Sequence, residues 1–487
     1  MTSKHFAAVA RTRQIAHHMS TFAIQDDVCR LPFLSLYMRA QILQAPIRFE
    51  SHLTSRTYML NRPAKLNALN FEMLDMLRPK VEEWAKSDLC RLVIGAGASG
   101  RFCGGGDVRA VLELSKTDSV AAADFFKKEF ELDYILAAMN KPYVVVMDGI
   151  TMGGGVGLSA PANFRVATEN TWFAFPETNI GYAPDVGANY YMSRLDGELG
   201  TYLCLTGIHV KGRDIYEIGF ATHFVSSRRI PLLLEALWSL ESDSKNKINA
   251  LLEDFVSERQ DEDPAFPLQG DVRVALDSAF RHSNILDIFH DLEAFSSNDN
   301  PVVVKWAAET LETLKKRSPT SLAVALAAIR RGKDMTLRKV LEMELGISQA
   351  YCHHLSPDFD TGITTQLITK ERDPAWSPAT VEEVTDELVK KFVSSRPPSL
   401  DIPLELSARS LPDPYRYALP TEREISFFIK GTHDASGGTA VTAQETIDFF
   451  VSSKNGKIGA KEKVVDVIAR KCRVSTDGWL EWIDSKA

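Results

Sequence analysis

Apolar positions along the first third of the chain alternate between two periods. Residues 57–60 (TYML) and 91–94 (RLVI) are short apolar runs of the kind that form strands. Between them, Phe71, Leu74, Leu77, Val81 and Trp84 recur at the spacing of an amphipathic helix over residues 71–86. Residues 121–139 predict a second helix and residues 143–147 (YVVVM) a further strand. Strand, helix and strand in this rhythm predict an α/β architecture. From about residue 198 the pattern turns helical, with helices expected over 230–240, 246–256, 302–316, 321–331 and 336–353. Prolines at 397, 398, 403, 412 and 414 mark residues 396–414 as an extended linker. The expected organisation is a variable leader (1–45), an α/β core (46–255), a helical part (256–395), the linker, and a C-terminal extension (415–487).

Composition narrows the class. A chain of 487 residues with 45% hydrophobic and 25% charged positions suits a soluble globular protein of several folding units. Its net charge of −8 gives no global pull towards nucleic acid or anionic lipid. The most apolar stretch, residues 142–160, is broken by Asp148 and a series of glycines, so no membrane insertion is expected. Six cysteines lie far apart without a C-x-x-C pair, which predicts reduced thiols and no zinc cage. The first 25 residues hold Lys4, Arg11 and Arg13 and no acid, the composition of a mitochondrial transit peptide.

Three glycine runs carry the candidate chemistry. Residues 95–100 (GAGASG) match a dinucleotide fingerprint in letters only, because no helix opens after them, and a flexible loop is expected. Residues 104–107 (GGGD) precede a helix over 108–114 that Asp107 is placed to cap. Residues 153–157 (GGGVG) again hand a strand over to a helix start. Neither run has the G-K-[ST] of a phosphate loop; bare main-chain N–H groups from two places instead suit an oxyanion hole, against two structural turns as the plainer account. Glu177 in residues 175–181 (FPETNIG) and Asp185 in 184–187 (PDVG) add two carboxylates in apolar surroundings, where catalytic acids and bases are found.

Taken in order, the runs LNRP (60–63), LNAL (66–69), FCGGGD (102–107), GITMGGGVG (149–157), FPETNIG, PDVG, LTG (205–207) and KGRD (211–214) resemble the crotonase (enoyl-CoA hydratase/isomerase) superfamily, and within it the 3-hydroxyisobutyryl-CoA hydrolases, over about residues 47–395. The resemblance implies a ββα spiral core followed by a helical region and an extension of the kind seen in fungal members. It implies oxyanion donors at Gly106 and Gly154, catalytic carboxylates at Glu177 and Asp185, a substrate contact at Glu129, and main-chain contacts to the CoA nucleotide at Leu66 and Ala68. CoA then enters as part of an acyl-CoA substrate, with no metal or redox cofactor. Hydratases of the superfamily commonly carry a second glutamate where this chain has Gly157, which favours thioester hydrolysis over hydration. Fungal members also assemble into the mitochondrial ribosomal small subunit, so that partner is expected through the extension. Residues 454–473 hold seven bases against Glu462 and Asp466, with Val464, Val465, Ile468 and Cys472 as an apolar stripe.

Overall fold

The computed structural model describes residues 44–260, 263–393, 399–433, 438 and 440–483. The expected transit peptide lies outside them. Strands β1 (Ile47–His52), β2 (Ser55–Leu60), β3 (Leu92–Gly97), β4 (Tyr143–Met147), β6 (Phe164–Ala167) and β9 (His223–Phe224) form the main sheet in that order. Only β1 and β2 pair antiparallel, with Ile47 opposite Leu60; every other neighbour is parallel. Strands β5 (Ile150–Met152), β7 (Trp172–Ala174) and β8 (Val210–Lys211) form a second, smaller sheet.

Helices cross between strands as the periodicity predicts. Helix α1 (Phe71–Lys86) starts where the Asn70 side chain accepts the Met73 N–H at 3.0 Å, and buries the apolar face named above. Helix α2 (Val108–Ser115) is short, and α3 (Ser119–Ala138) is capped by Asp118. Beyond Phe125 the α3 side chains are buried almost all round, because α1, α2 and a later helix enclose it. Asp107 does not cap α2 with its side chain as expected. Its carboxylate takes Arg62 Nη2 at 3.2 Å instead, and that ion pair draws it off the helix end.

The first glycine run also differs from expectation. Gly95 and Gly97 lie within β3, because the Tyr58 side chain covers Gly95 so closely that a Cβ would collide with it. Tyr58 Oη bonds Tyr143 Oη at 2.6 Å, and Tyr143 donates to the Leu158 carbonyl at 2.7 Å. That relay ties the sheet to α4 (Gly154–Ser159), the helix opened by the third glycine run.

The helical part contributes α5 (Gly270–Ala279), α6 (Pro319–Gly332) and α7 (Leu337–Cys352), among others. The described part of the proline-rich passage, residues 399–414, is packed and not the extended linker expected: Leu404–Ser407 form a helical turn, and Leu400, Ile402 and Leu406 join the main core, as does Tyr415 just after it. Asp401 N–H donates to Glu131, and the fully buried Arg165 donates to the Pro414 carbonyl at 2.6 Å. Helices α8 (Glu422–Ile429), α9 (Ala443–Ser453) and α10 (Ala460–Lys471) and the hairpin β10 (Cys472–Val474) with β11 (Leu480–Trp482) build a separate small core around Phe428, Phe450, Val464 and Val467. Five of the seven bases in residues 454–473 face acids of the chain. Lys463 meets Asp196 at 2.8 Å, Lys457 meets Glu253 at 2.5 Å and Lys471 meets Asp277 at 3.2 Å. Three of the seven bases thus tie the extension to the body, while Lys454 and Arg470 pair with Glu424 and Glu422 of the extension itself. Lys461 and Arg473 are exposed, and Val465 of the expected stripe faces outward while Val467 takes its place inside. Among the described residues, no helix is long and apolar enough to cross a membrane.

Candidate active site

The site is assembled where two glycine runs touch. The loop 103–107 is held on one side by β5, through Cys103 N–H to Ile150 O at 2.8 Å and Met152 N–H to Cys103 O at 3.0 Å. On its other side Leu69 N–H donates to Gly105 O and Asp107 N–H donates to Leu69 O, both at 2.8 Å. In that parallel bridge Leu69 uses the residues flanking Gly106, so the Gly106 amide points away from it. Gly154 is the first residue of α4, and its amide has no intrahelical acceptor. Among the described residues neither amide donates to a backbone carbonyl. A Cβ on Gly105 would lie 3.9 Å from the Gly154 nitrogen, which shows how closely the two runs approach.

Carboxyl groups press against the glycines at and before the start of α4. A Cβ on Gly153 would sit 3.0 Å from Glu177 Oε1, one on Gly154 would collide with Glu129 Oε1, and one on Gly157 would sit 2.7 Å from Asp133 Oδ2. Glu177 comes from a 3-10 turn (Pro176–Ile180), and Glu129 and Asp133 come from one face of α3. Asp185 follows on the loop after Gly181 and accepts the Tyr182 hydroxyl at 2.9 Å; that hydroxyl also meets Ser348 Oγ of α7 at 2.7 Å. Val186 is held at φ 54°, a costly conformation for a β-branched residue, and strain of this kind is concentrated at functional sites.

These carboxyls are buried and crowded, which disfavours their charged forms. Burial, then the Asp185 and Glu177 charges, push Glu129 well above the usual range. Glu177 is raised by burial and then by Asp185. Asp185 is raised by burial to about 7, although the Tyr182 hydrogen bond opposes the shift. One oxygen each of Glu129 and Glu177, and both of Asp133, lack a hydrogen-bond partner among the described residues.

All four residues expected to do chemistry at the acyl end, Gly106, Gly154, Glu177 and Asp185, fall in this one place, with Glu129 beside them. Leu66 and Ala68 lie at its edge, Leu66 in a left-handed conformation and half exposed. Their carbonyls already accept Gly104 N–H at 2.8 Å and Arg62 Nη1 at 2.6 Å, leaving each the second lone pair of a carbonyl oxygen for any nucleotide.

Two members of the cluster escaped the sequence reading. Asp133 stands four residues after Glu129 on the same helix face, a spacing that was visible in the chain. Glu344 of α7 had no such signal, since it arrives from the helical part. It accepts Gly187 N–H at 2.7 Å, Asn189 N–H at 3.1 Å and Asn189 Nδ2 at 2.8 Å, and burial pushes it up to about 8. It thereby fixes the turn after Asp185 and gives Asn189 a structural task. Gly157 is likewise more than a lost glutamate: the Asp133 carboxyl and the Val186 side chain fill the space beside it.

A parallel sheet whose connections deliver two touching glycine runs and a set of buried carboxyls defines the class. The chain belongs to the enoyl-CoA hydratase/isomerase family, which it matches over residues 55–393. Among curated relatives, the mitochondrial 3-hydroxyisobutyryl-CoA hydrolase of Homo sapiens is 42% identical over 330 residues, 67% of this chain and 83% of that protein. Small ribosomal subunit protein mS47 of Neurospora crassa is 34% identical over 489 residues, 92% of this chain and 94% of that protein. Of solved structures, a carnitinyl-CoA dehydratase from Mycobacterium thermoresistibile superposes with a TM-score of 0.66 at 34% identity, covering 73% of this chain and 98% of its own.

Proposed function

We propose that this protein is a mitochondrial acyl-CoA thioester hydrolase whose substrate is 3-hydroxyisobutyryl-CoA. The observation that carries the reading is the placement of Glu177 against the glycine that precedes Gly154, with Gly105 and Gly106 on the opposing loop. In this mechanism the Gly106 and Gly154 amides receive the thioester oxygen as it becomes negative, an arrangement worth about 2.7–4 kcal/mol per donor. Glu177 either attacks the carbonyl carbon, expelling the thiolate and forming a mixed anhydride that water then opens to the acid and free Glu177, or takes a proton from a water that attacks the carbonyl directly. Asp185, raised to about 7, is protonated often enough at neutral pH to give the leaving thiolate a proton. Sequence identity to the named hydrolases supports hydrolysis over hydration. The test is thiol release by purified protein from a panel of acyl-CoAs, with 3-hydroxyisobutyryl-CoA expected to lead. Hydration of the matching 2,3-unsaturated thioester in place of thiol release would overturn the reading.

A second role has its own support. The likeness to the ribosomal protein extends over nearly the whole chain, extension included, whereas the human hydrolase matches 67% of it. The extension also exposes Phe427, Val465, Val474 and Trp479 while five of the seven bases in residues 454–473 are paired with acids, which suits contact with a protein of the small subunit better than with RNA phosphates. Co-sedimentation with the mitochondrial small subunit in a sucrose gradient tests this role.

A further inference from the structure

The Asp133 carboxyl is the least satisfied polar group near the site. Only 2% of the residue is exposed, and neither oxygen has a hydrogen-bond partner among the described residues. Leaving a buried polar group unpaired costs about 1–3 kcal/mol, so a purely structural residue here would be a poor choice. Its position is specific. Glu129 and Asp133 occupy successive turns of α3, and their carboxyls rest against Gly154 and Gly157, successive levels of α4. Residues three apart on a helix are separated by about 4.5 Å along its axis. In a 3-hydroxyacyl thioester the hydroxyl oxygen lies three bonds beyond the carbonyl carbon, a comparable reach. A carbonyl held at the level of Gly154 can therefore reach the level of Gly157 with its 3-hydroxyl.

We infer that Asp133 is the group that recognises the 3-hydroxyl of the acyl chain, and so sets the specificity for hydroxylated over plain branched acyl-CoAs. The inference rests on the hydrolase reading for the orientation of the thioester. Burial, and after it the Glu129 charge, raise the Asp133 carboxyl well above its usual range. In its protonated form it has both a donor and an acceptor, matching a hydroxyl that is also both. A site built to bond a substrate hydroxyl penalises the analogue that lacks it far more than an apolar pocket penalises an added group.

The experiment compares 3-hydroxyisobutyryl-CoA with isobutyryl-CoA in two arms. In turnover, the parent is expected to favour the hydroxylated substrate in kcat/KM, and Asp133→Ala to lower that ratio at least about tenfold. Asp133→Asn, which keeps a donor and an acceptor, should retain part of it. In binding, calorimetry on the Glu177→Gln protein reads the same preference without turnover, and adding Asp133→Ala should abolish it. A preference that survives Asp133→Ala in the binding arm, or is absent from the parent, overturns the inference. Thiol release failing while the binding preference responds to Asp133 would overturn the hydrolase reading and leave this one standing. Because Asp133 is unpaired, the thermal midpoint of free Asp133→Asn should not fall; a marked fall with unchanged selectivity would show a structural role instead.

Discussion

Glu177 and Asp185 were legible at the level of single residues because each follows a proline in an apolar run, where a carboxylate without a purpose is expensive. Asp133 and Glu344 were not singled out, the first because it sits within a charged-looking helix face, the second because only folding brings α7 to the Asp185 turn. The chemistry assigned to Glu177 requires its charged form, which burial and the neighbouring Asp185 charge oppose. Glu177→Gln should therefore lower kcat by about 100-fold or more while leaving acyl-CoA affinity nearly unchanged, as read by steady-state kinetics and calorimetry. Turnover within about tenfold of the parent would remove Glu177 from the mechanism. Asp185 has a second, pH-dependent effect. Its negative charge raises Glu177, so Asp185→Asn should move the acidic limb of the residual kcat/KM profile to lower pH. An unmoved limb would mean that the two carboxyls do not sense each other.

Elements were read more reliably than the reasons for them. The helix over 71–86 and the strand over 143–147 match α1 and β4 in their bounds, since an amphipathic period and a continuous apolar run each leave little choice. The run 95–100 was misjudged because glycine signals a loop locally, whereas here it admits a tyrosine ring across neighbouring strands. The same distinction governs α4. From sequence, Gly157 reads as a missing glutamate whose restoration could expose hydratase activity. Packing shows a different outcome, because a Cβ there meets both Asp133 Oδ2 and Val186 Cβ at 2.7 Å. Gly157→Glu should therefore destabilise the fold by about 1–3 kcal/mol or more through overpacking, lower thiol release and yield no hydratase activity. Circular dichroism melts with both activity assays check this; a stable variant that hydrates an unsaturated acyl-CoA would refute the packing argument.

At the scale of the whole molecule, two groups of buried charges oppose one another with pH. Asp185 at about 7 and Glu344 at about 8 lie above ordinary carboxyl values, so the native state holds protons that the unfolded chain has released. Their contribution is full below about pH 4 and is lost as pH rises through 7 to 8, at about 1.4 kcal/mol per pH unit for each group. Glu422 behaves oppositely: burial raises it, but the Arg273 and Arg470 guanidiniums outweigh that and hold it down to about 2. Its contribution is present above about pH 4.5 and lost as pH falls towards 2. Thermal melts of the free protein should thus fall on both sides of a mildly acidic optimum, and Glu422→Gln should flatten only the acid side. The location of Glu422 decides how the chain divides. Residues 399–420 belong to the body, because Tyr415 and Leu419 fill the main core and Pro414 accepts from the buried Arg165. Residues 421–483 have a core of their own and adhere through buried pairs such as Lys463 with Asp196 and Glu422 with Arg273, the latter at 3.1 Å. None of the site residues comes from that unit. A chain ending at Pro420 should accordingly keep thiol release within a few-fold of the parent. Its thermal midpoint should drop, since Arg273 loses Glu422 while retaining Asp277 at 2.9 Å. A chain ending at residue 398 should fail to fold, because it uncovers the core that Leu400, Leu406, Tyr415 and Leu419 fill and takes the Pro414 carbonyl from Arg165 Nη2. If the extension makes the ribosomal contact, only the full-length chain will co-sediment with the small subunit. A folded chain ending at Pro420 that has lost turnover would place the extension within the enzyme, and one that still co-sediments would move the ribosomal contact onto the body.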